Sequence, residues 1–115
     1  MLKEVEEVKN LGPGEMKEIE ANGISLLLVN YQENFYAVSN RCTHLGCKLS
    51  KGTLEDNIIT CPCHGSKFDI TNGKLIEWIS SWPKLISLLT KNLGLARSLS
   101  AYRVVKKCPK VYIEI

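Results

Sequence analysis

The sequence contains Cys42-Thr-His-Leu-Gly-Cys47 and, further along, Cys61-Pro-Cys-His-Gly-Ser66. These two segments hold four of the five cysteines and both histidines of the chain. A disulfide-rich secreted scaffold scatters its cysteines and does not pair each group of them with a histidine. The pattern therefore indicates a metal site that is shared by two loops, 42–47 and 61–66.

The candidate metal ligands are Cys42, His44, Cys61 and His64. A tight Cys-x-His or Cys-x-x-His turn can direct both of its side chains at one site, so that each loop supplies one thiolate and one imidazole. If the thiolates bind one iron and the imidazoles bind a second, the product is the [2Fe–2S] cluster of Rieske centres. Neutral imidazoles raise the reduction potential above that of an all-thiolate cluster, and their second nitrogens couple the potential to pH.

A structural Zn²⁺ in a Cys₂His₂ site is the alternative for these four residues. Zinc sites favour Cys-x-x-Cys knuckles and histidine pairs several residues apart, and the spacing in this chain fits that arrangement poorly. Colour separates the two kinds of site, since a zinc protein is colourless and an oxidised Rieske protein is red-brown.

The two segments resemble both binding boxes of the Rieske iron–sulfur proteins of quinol-oxidising complexes, and the match covers residues 42–73. In its length and its N-terminus the chain is most similar to soluble archaeal Rieske proteins of the sulredoxin kind, which have no membrane anchor. The resemblance implies that one [2Fe–2S] cluster is bound. It places Cys42 and Cys61 on the buried iron and His44 and His64 on the outer iron.

The resemblance also implies roles for the other residues of the boxes. Cys47 and Cys63 correspond to the pair that forms a disulfide between the two loops; two free thiols, or two ligands in a different assignment, remain alternatives. Ser66 corresponds to the serine whose hydroxyl donates to a cluster sulfide. Phe68 stands where high-potential members have a tyrosine that donates to a ligand sulfur, so a lower potential is expected here.

Three further residues of interest are given no ligand role. Leu45 and Pro62 adjoin ligands at the tips of the loops and are candidates for partner docking, although both could simply shape the loops. Cys108 lies outside both loops, before Pro109, and is expected to be an inert structural thiol.

The remaining sequence is a series of short β-prone runs between turns. Met16–Ala21 and Ile24–Val29 flank Asn22-Gly23, which suits a type I′ hairpin. Repetition of this pattern predicts an all-β fold, an antiparallel sandwich or open barrel, in a single domain over residues 1–115. The final strands are expected at Ser100–Lys106 and Lys110–Ile115.

One segment has helical spacing instead. Its apolar residues recur from Trp82 to Leu93, with Pro83 at the start and Gly94 at the end, which predicts a helix inserted near 82–93. The segment from about residue 77 to residue 96 has no counterpart in the Rieske proteins that the chain resembles, and we interpret it as an insertion. Such a stripe usually faces a core; the alternative is contact of residues 78–93 with a redox partner, a second subunit or a membrane edge.

Composition narrows the class of protein. A net charge of +3, spread along the chain, is too weak for nucleic-acid binding. The sequence has neither a signal-peptide pattern nor an apolar run long enough for a membrane span, so a soluble cytoplasmic protein is expected.

Three classes of function remain open. The first is a soluble one-electron shuttle between a redox donor and a redox acceptor. The second is an electron-transfer subunit of a larger oxidoreductase, of quinol- or arsenite-oxidising type, or an oxygenase component. The third is a redox sensor that uses the Cys47 and Cys63 pair. No nucleophile, acid–base pair or substrate pocket indicates catalysis by the chain itself.

Overall fold

The computed structural model of the chain describes residues 2–42, 47–63, 65–77, 85, 89, 98–107 and 110–115. Its strands are all antiparallel, as the sequence predicts. They are β1 (Leu2–Glu4), β2 (Met16–Ala21), β3 (Ile24–Tyr31), β4 (Asn34–Ser39), β5 (Thr53–Glu55), β6 (Ile58–Thr60), β7 (Lys67–Asp69), β8 (Leu75–Glu77), β9 (Ala101–Tyr102), β10 (Val104–Lys107) and β11 (Lys110–Glu114). Short 3₁₀ helices cover Glu7–Asn10 and Leu49–Lys51.

The strands form three sheets, and the predicted antiparallel β architecture is confirmed. The central sheet has the order β2-β3-β4-β9, the loop sheet β5-β6-β7-β8, and the terminal sheet β1-β11-β10. The predicted strand Ser100–Lys106 is in fact divided at Arg103. Its first part, β9, pairs with β4 in the central sheet, and its second part, β10, pairs with β11 in the terminal sheet.

The central sheet is covered on both faces, which explains the continuous apolar run in β3. Leu27 and Val29 point into one core and Leu26 and Leu28 into another, and all four side chains are fully buried. Because successive residues of a strand point to opposite faces, such a run can fill two cores at once.

The two cores have separate linings. The loop-side core contains Leu27, Val29, Val38, Cys42, Leu49, Ile59, Cys61, Phe68, Ile70 and Leu99. The terminal-side core contains Val5, Leu11, Ile19, Ala21, Leu26, Leu28, Ala37 and Ile113. Both candidate cysteine ligands therefore belong to the loop-side core.

The predicted Asn22-Gly23 hairpin is confirmed. The two residues have φ angles of 52° and 75°, and Ala21 pairs with Ile24 directly across the turn. Positive φ at both positions is the geometry of a type I′ turn, which asparagine and glycine tolerate.

Most of the predicted helix at 82–93 and of the predicted insertion at 77–96 lies outside the described residues. Leu85 and Leu89 are described, and both are helical. Their side chains are 77% and 58% exposed, so at these two positions the apolar stripe does not face a core. In the part of the chain that the structure describes, no helix is long and apolar enough to cross a membrane.

Candidate metal centre

The first loop, 42–47, begins just after β4 and ends just before the 3₁₀ helix Leu49–Lys51. At its base the Cys42 amide donates to the Cys47 carbonyl oxygen at 2.9 Å. One step further out, Arg41 and Lys48 form a single antiparallel bridge that belongs to no strand. These contacts bring the two ends of the loop together.

The second loop, 61–66, joins β6 to β7, which pair directly below it at Thr60 and Lys67. The Cys61 amide donates to the Ser66 carbonyl oxygen at 2.8 Å, and the Gly65 amide donates to the Cys61 carbonyl oxygen at 3.2 Å. Gly65 has a φ of 77°, a conformation that glycine adopts without strain. The second loop is therefore a tight continuation of a strand pair.

A disulfide between Cys47 and Cys63 joins the two loops, as the resemblance implies, with a Cα–Cα distance of 6.5 Å. The Cys61 Sγ atom lies within 4.8 Å of both disulfide sulfurs. Since a disulfide sulfur is not a thiolate, Cys47 and Cys63 are not metal ligands in this state. The structure thus shows the disulfide and not two free thiols.

Cys42 and Cys61 are the two thiols that remain at the bases of the loops. They are 3% and 2% exposed and take no part in the disulfide. Both pack in the loop-side core, beneath the bridge between the loops. A buried thiolate needs a cation to balance its charge, so two buried thiols under paired loops fit the thiolate side of an iron–sulfur cluster.

The other predicted site residues are placed as follows. Ser66 and Phe68 are fully buried, and Phe68 lines the same core as Cys42 and Cys61. Pro62 is exposed at the second loop, as a docking residue must be. His44, Leu45, His64 and Cys108 lie outside the described residues.

A polar cluster at the base of the first loop was not predicted from the sequence. The fully buried Asn40 uses its Nδ2 to donate to Glu18 Oε2 at 2.6 Å and to Ser25 Oγ at 3.1 Å. Lys48 forms an ion pair with Glu18 at 3.1 Å. The hydrogen bonds from Lys48 and Ser25, in that order of effect, lower the pKa of the exposed Glu18 carboxyl below its ordinary value of 4.5.

With two buried thiols beneath disulfide-joined loops, the comparison with known families is decisive. The sequence model of the Rieske [2Fe-2S] domain matches residues 1–88. The chain belongs to the Rieske [2Fe-2S] domain family. Its cofactor is one Rieske-type [2Fe–2S] cluster, and the alternative of a structural zinc site is set aside.

Related proteins of known identity include ferredoxin components of oxygenases. The chain is 37% identical over 65 residues to the ferredoxin component of biphenyl 2,3-dioxygenase from Rhodococcus jostii (strain RHA1), covering 56% of this chain and 61% of that protein. It is 40% identical over 71 residues to human apoptosis-inducing factor 3, covering 62% of this chain and 12% of that protein. The matched regions thus span less than two thirds of these relatives.

Solved Rieske structures have the same fold. The ferredoxin of carbazole 1,9a-dioxygenase from Nocardioides aromaticivorans IC177 superposes with a TM-score of 0.77 at 23% identity, covering 97% of this chain and 95% of that one. A ferredoxin–oxygenase complex of carbazole 1,9a-dioxygenase superposes with a TM-score of 0.76 at 26% identity, covering 97% and 91%. The Rieske fold therefore extends over nearly the whole chain.

Proposed function

We propose that the protein is a one-electron carrier whose cluster is held by Cys42 and Cys61 on one iron and by His44 and His64 on the other. When bound, the cluster supplies a site that gains and loses a single electron. The chain supplies two buried thiolates, two imidazoles and a loop pair that is locked by a disulfide. In this proposal it is not an enzyme by itself.

One observation carries the proposal. The two buried thiols that are not part of the disulfide, Cys42 and Cys61, each stand at the start of one loop. Each is followed closely by a histidine in the sequence, His44 after Cys42 and His64 after Cys61. Several relatives are ferredoxin components of dioxygenases, which supports electron transfer as the role.

The first test is the metal content and spectrum of the purified protein. Two irons and two sulfides per chain, with visible absorption that His44→Ser or His64→Ser abolishes or shifts, support the ligand set. Pro62→Ala is the matched control for His64→Ser, since it changes the same loop without removing a proposed ligand. A spectrum that survives loss of either histidine would contradict the proposal.

The second test is the dependence of the reduction potential on pH. Imidazoles that keep one nitrogen free bind protons more tightly after reduction, so the midpoint potential falls as pH rises. A potential that stays flat from mildly acidic to alkaline pH would contradict histidine ligation.

The partner class is proposed from the relatives. One solved structure similar to this chain is a complex of an oxygenase with its ferredoxin, so an oxygenase is a reasonable acceptor class, and residence in a quinol- or arsenite-oxidising enzyme is the alternative. Native purification separates the cases: a protein that runs alone supports a shuttle, and one that runs in a complex supports a subunit.

The cytoplasm is the proposed location, and the sulredoxin-like subgroup is the proposed branch of the family. The Cys47–Cys63 disulfide supports that branch, because dioxygenase-type Rieske ferredoxins usually lack the pair. A bridge that resists mild thiols agrees with a structural role and excludes the redox-sensor alternative.

We also propose that residues 78–93 contact a redox partner, a second subunit or a membrane edge. Its support is the exposure of two apolar side chains, Leu85 and Leu89. Leu85→Ser with Leu89→Ser should slow reduction by the partner and leave the cluster spectrum unchanged. Loss of folding in this variant would favour a core role for the segment.

A further inference from the structure

The two loops are closed at their bases in different ways. The second loop is closed by the β6–β7 ladder, through Thr60 and Lys67. The first loop follows β4, but β4 pairs with β3 and β9 and not with the segment that follows the loop. Outside the loop itself, only the bridge between Arg41 and Lys48 joins the two flanks by strand-type pairing within the described residues.

Asn40 reinforces this bridge. Its carbonyl oxygen accepts from the Leu49 amide at 2.7 Å as part of the Arg41–Lys48 bridge, and its side-chain Oδ1 adds a bond by accepting from the Ser50 amide at 2.8 Å. Asn40 precedes the loop and Leu49 and Ser50 follow it, so a single residue joins both flanks.

The same residue fixes this junction to the central sheet. The Asn40 amide donates to the Ser25 carbonyl oxygen at 3.1 Å, while Nδ2 donates to Glu18 Oε2 and Ser25 Oγ. Its side chain is fully buried, so water cannot replace these partners. Glu18 is anchored in turn by Lys48, which lies on the far side of the loop.

We infer that Asn40 is the positioning residue of the first loop: its side chain reinforces the bridged base of the loop through Ser50 and fixes that base to the central sheet through Glu18 and Ser25, which holds Cys42 in place for the cluster. The inference rests on the proposed ligand role of Cys42. Asn40 touches none of the proposed ligands through its side chain in the contacts above, and it acts through Leu49, Ser50 and the central sheet.

Iron loss from the holoprotein tests this inference. The rate at which excess EDTA bleaches the visible absorption should rise roughly tenfold in Asn40→Ala, because several buried hydrogen bonds are lost at once. The readout is cluster retention and not electron transfer, so it is valid even if the protein proves to serve a different partner or role.

Asn30→Ala is the matched control. Asn30 is the other buried asparagine of the described residues; its Nδ2 donates to the Leu11 carbonyl oxygen at 3.0 Å, near the end of β3 that is remote from the loops. This variant should lower the melting temperature but lose iron at the wild-type rate. Equal acceleration in both variants would overturn the inference, since it would show a general loss of stability.

A second pair of variants tests the inference if Asn40→Ala does not fold. They exchange the donor at position 40 and the acceptor at position 18. Asn40→Asp places two carboxylates side by side and should accelerate iron loss. Adding Glu18→Gln provides an amide that donates to the new carboxylate at position 40, and the double variant should return towards the wild-type rate. No recovery in the double variant would overturn the inference.

Discussion

The two loops carry similar sequences, but different parts of the chain hold them. The second loop extends a strand pair, and its closure depends on the backbone register of β6 and β7. The first loop has a single backbone bridge at its base, and we infer that the side chain of Asn40, with its partners in β2, β3 and at Ser50, reinforces it. A ladder of several backbone pairs tolerates most substitutions, whereas a single bridge that one side chain reinforces weakens when that residue changes. The comparison therefore predicts that the first loop is the weaker half of the site.

Removal of the covalent link between the loops should have the largest effect. The Cys47–Cys63 bridge spans a sequence separation of 16 residues, and a disulfide over such a loop stabilises a fold by about 3 kcal/mol. We expect the double variant Cys47→Ala, Cys63→Ala to lose about that free energy of unfolding in urea titration.

Amide exchange in the same variant measures the stability of each loop base separately. The Cys42 amide, at the first loop, should gain exchange rate more than the Cys61 amide, at the second. Equal gains at both positions would show that the two bases are equally strong.

Gly52→Ala should have the next largest effect, since it changes the contact between the flanks of the two loops. A Cβ atom at Gly52 would overlap the Thr60 carbonyl oxygen and lie 3.2 Å from Pro62 Cδ. Overpacking of this kind costs about 1–3 kcal/mol, and thermal unfolding measures it.

Gly23→Ala is the control for this steric effect. Gly23 has a φ of 75° and nothing within 4 Å of its added Cβ, so its replacement strains a turn without moving a loop. Only Gly52→Ala should shift the cluster spectrum; a shift in both variants would refute the steric account.

Phe68→Tyr should change the reduction potential from the side of the second loop, without altering the base of the first loop. Phe68 is fully buried on β7 and lines the loop-side core that also contains Cys61. A new hydroxyl that donates one hydrogen bond to a ligand sulfur stabilises the reduced state by about 1 kcal/mol, on the order of 40 mV for one electron. Voltammetry should show a higher midpoint potential, and an unchanged or lower value would contradict the role given to this position.

The smallest expected effect is that of acid, which should weaken the first loop by protonating Glu18. The Lys48 hydrogen bond lowers the pKa of Glu18 below 4.5, so the carboxylate's contribution to stability is present above that pH and is lost as pH falls through the lowered value. The rate of iron loss to EDTA should therefore rise more steeply below pH 4.5 in the wild type than in Glu18→Gln. Parallel pH profiles would show that Glu18 does not support the loop.

The sequence predicted those parts of the fold that depend on local signals. The Asn22-Gly23 turn fixes the β2–β3 hairpin, and the strands on either side follow from it. Two short strands were missed, Leu2–Glu4 and Thr53–Glu55. Leu2 pairs with Glu114 at the other end of the chain, and a pairing across that distance leaves no local pattern.

The site divides in the same way. The boxes indicated Cys42 and Cys61 as candidate ligands because metal ligation demands particular residue types at particular spacing; the structure buries both thiols, and the disulfide agrees with the resemblance. Asn40 was missed because its role depends on Glu18, Ser25 and Ser50, which only the folded chain brings together. The single available signal was a polar residue directly after Ser39, the last residue of β4, and that is also typical of an ordinary turn.

The strand β3 has no face exposed to solvent along Leu26–Val29, where alternate side chains fill opposite cores. The two cores therefore share the backbone of β3. A change in packing in the terminal-side core acts on the same backbone that packs against Cys42 and Cys61 in the loop-side core. A substitution that repacks the terminal-side core is therefore expected to displace the backbone behind Cys42 and Cys61 unless the terminal sheet absorbs the change. If the backbone of β3 keeps its position, the sequence of the terminal sheet can change without moving the metal centre.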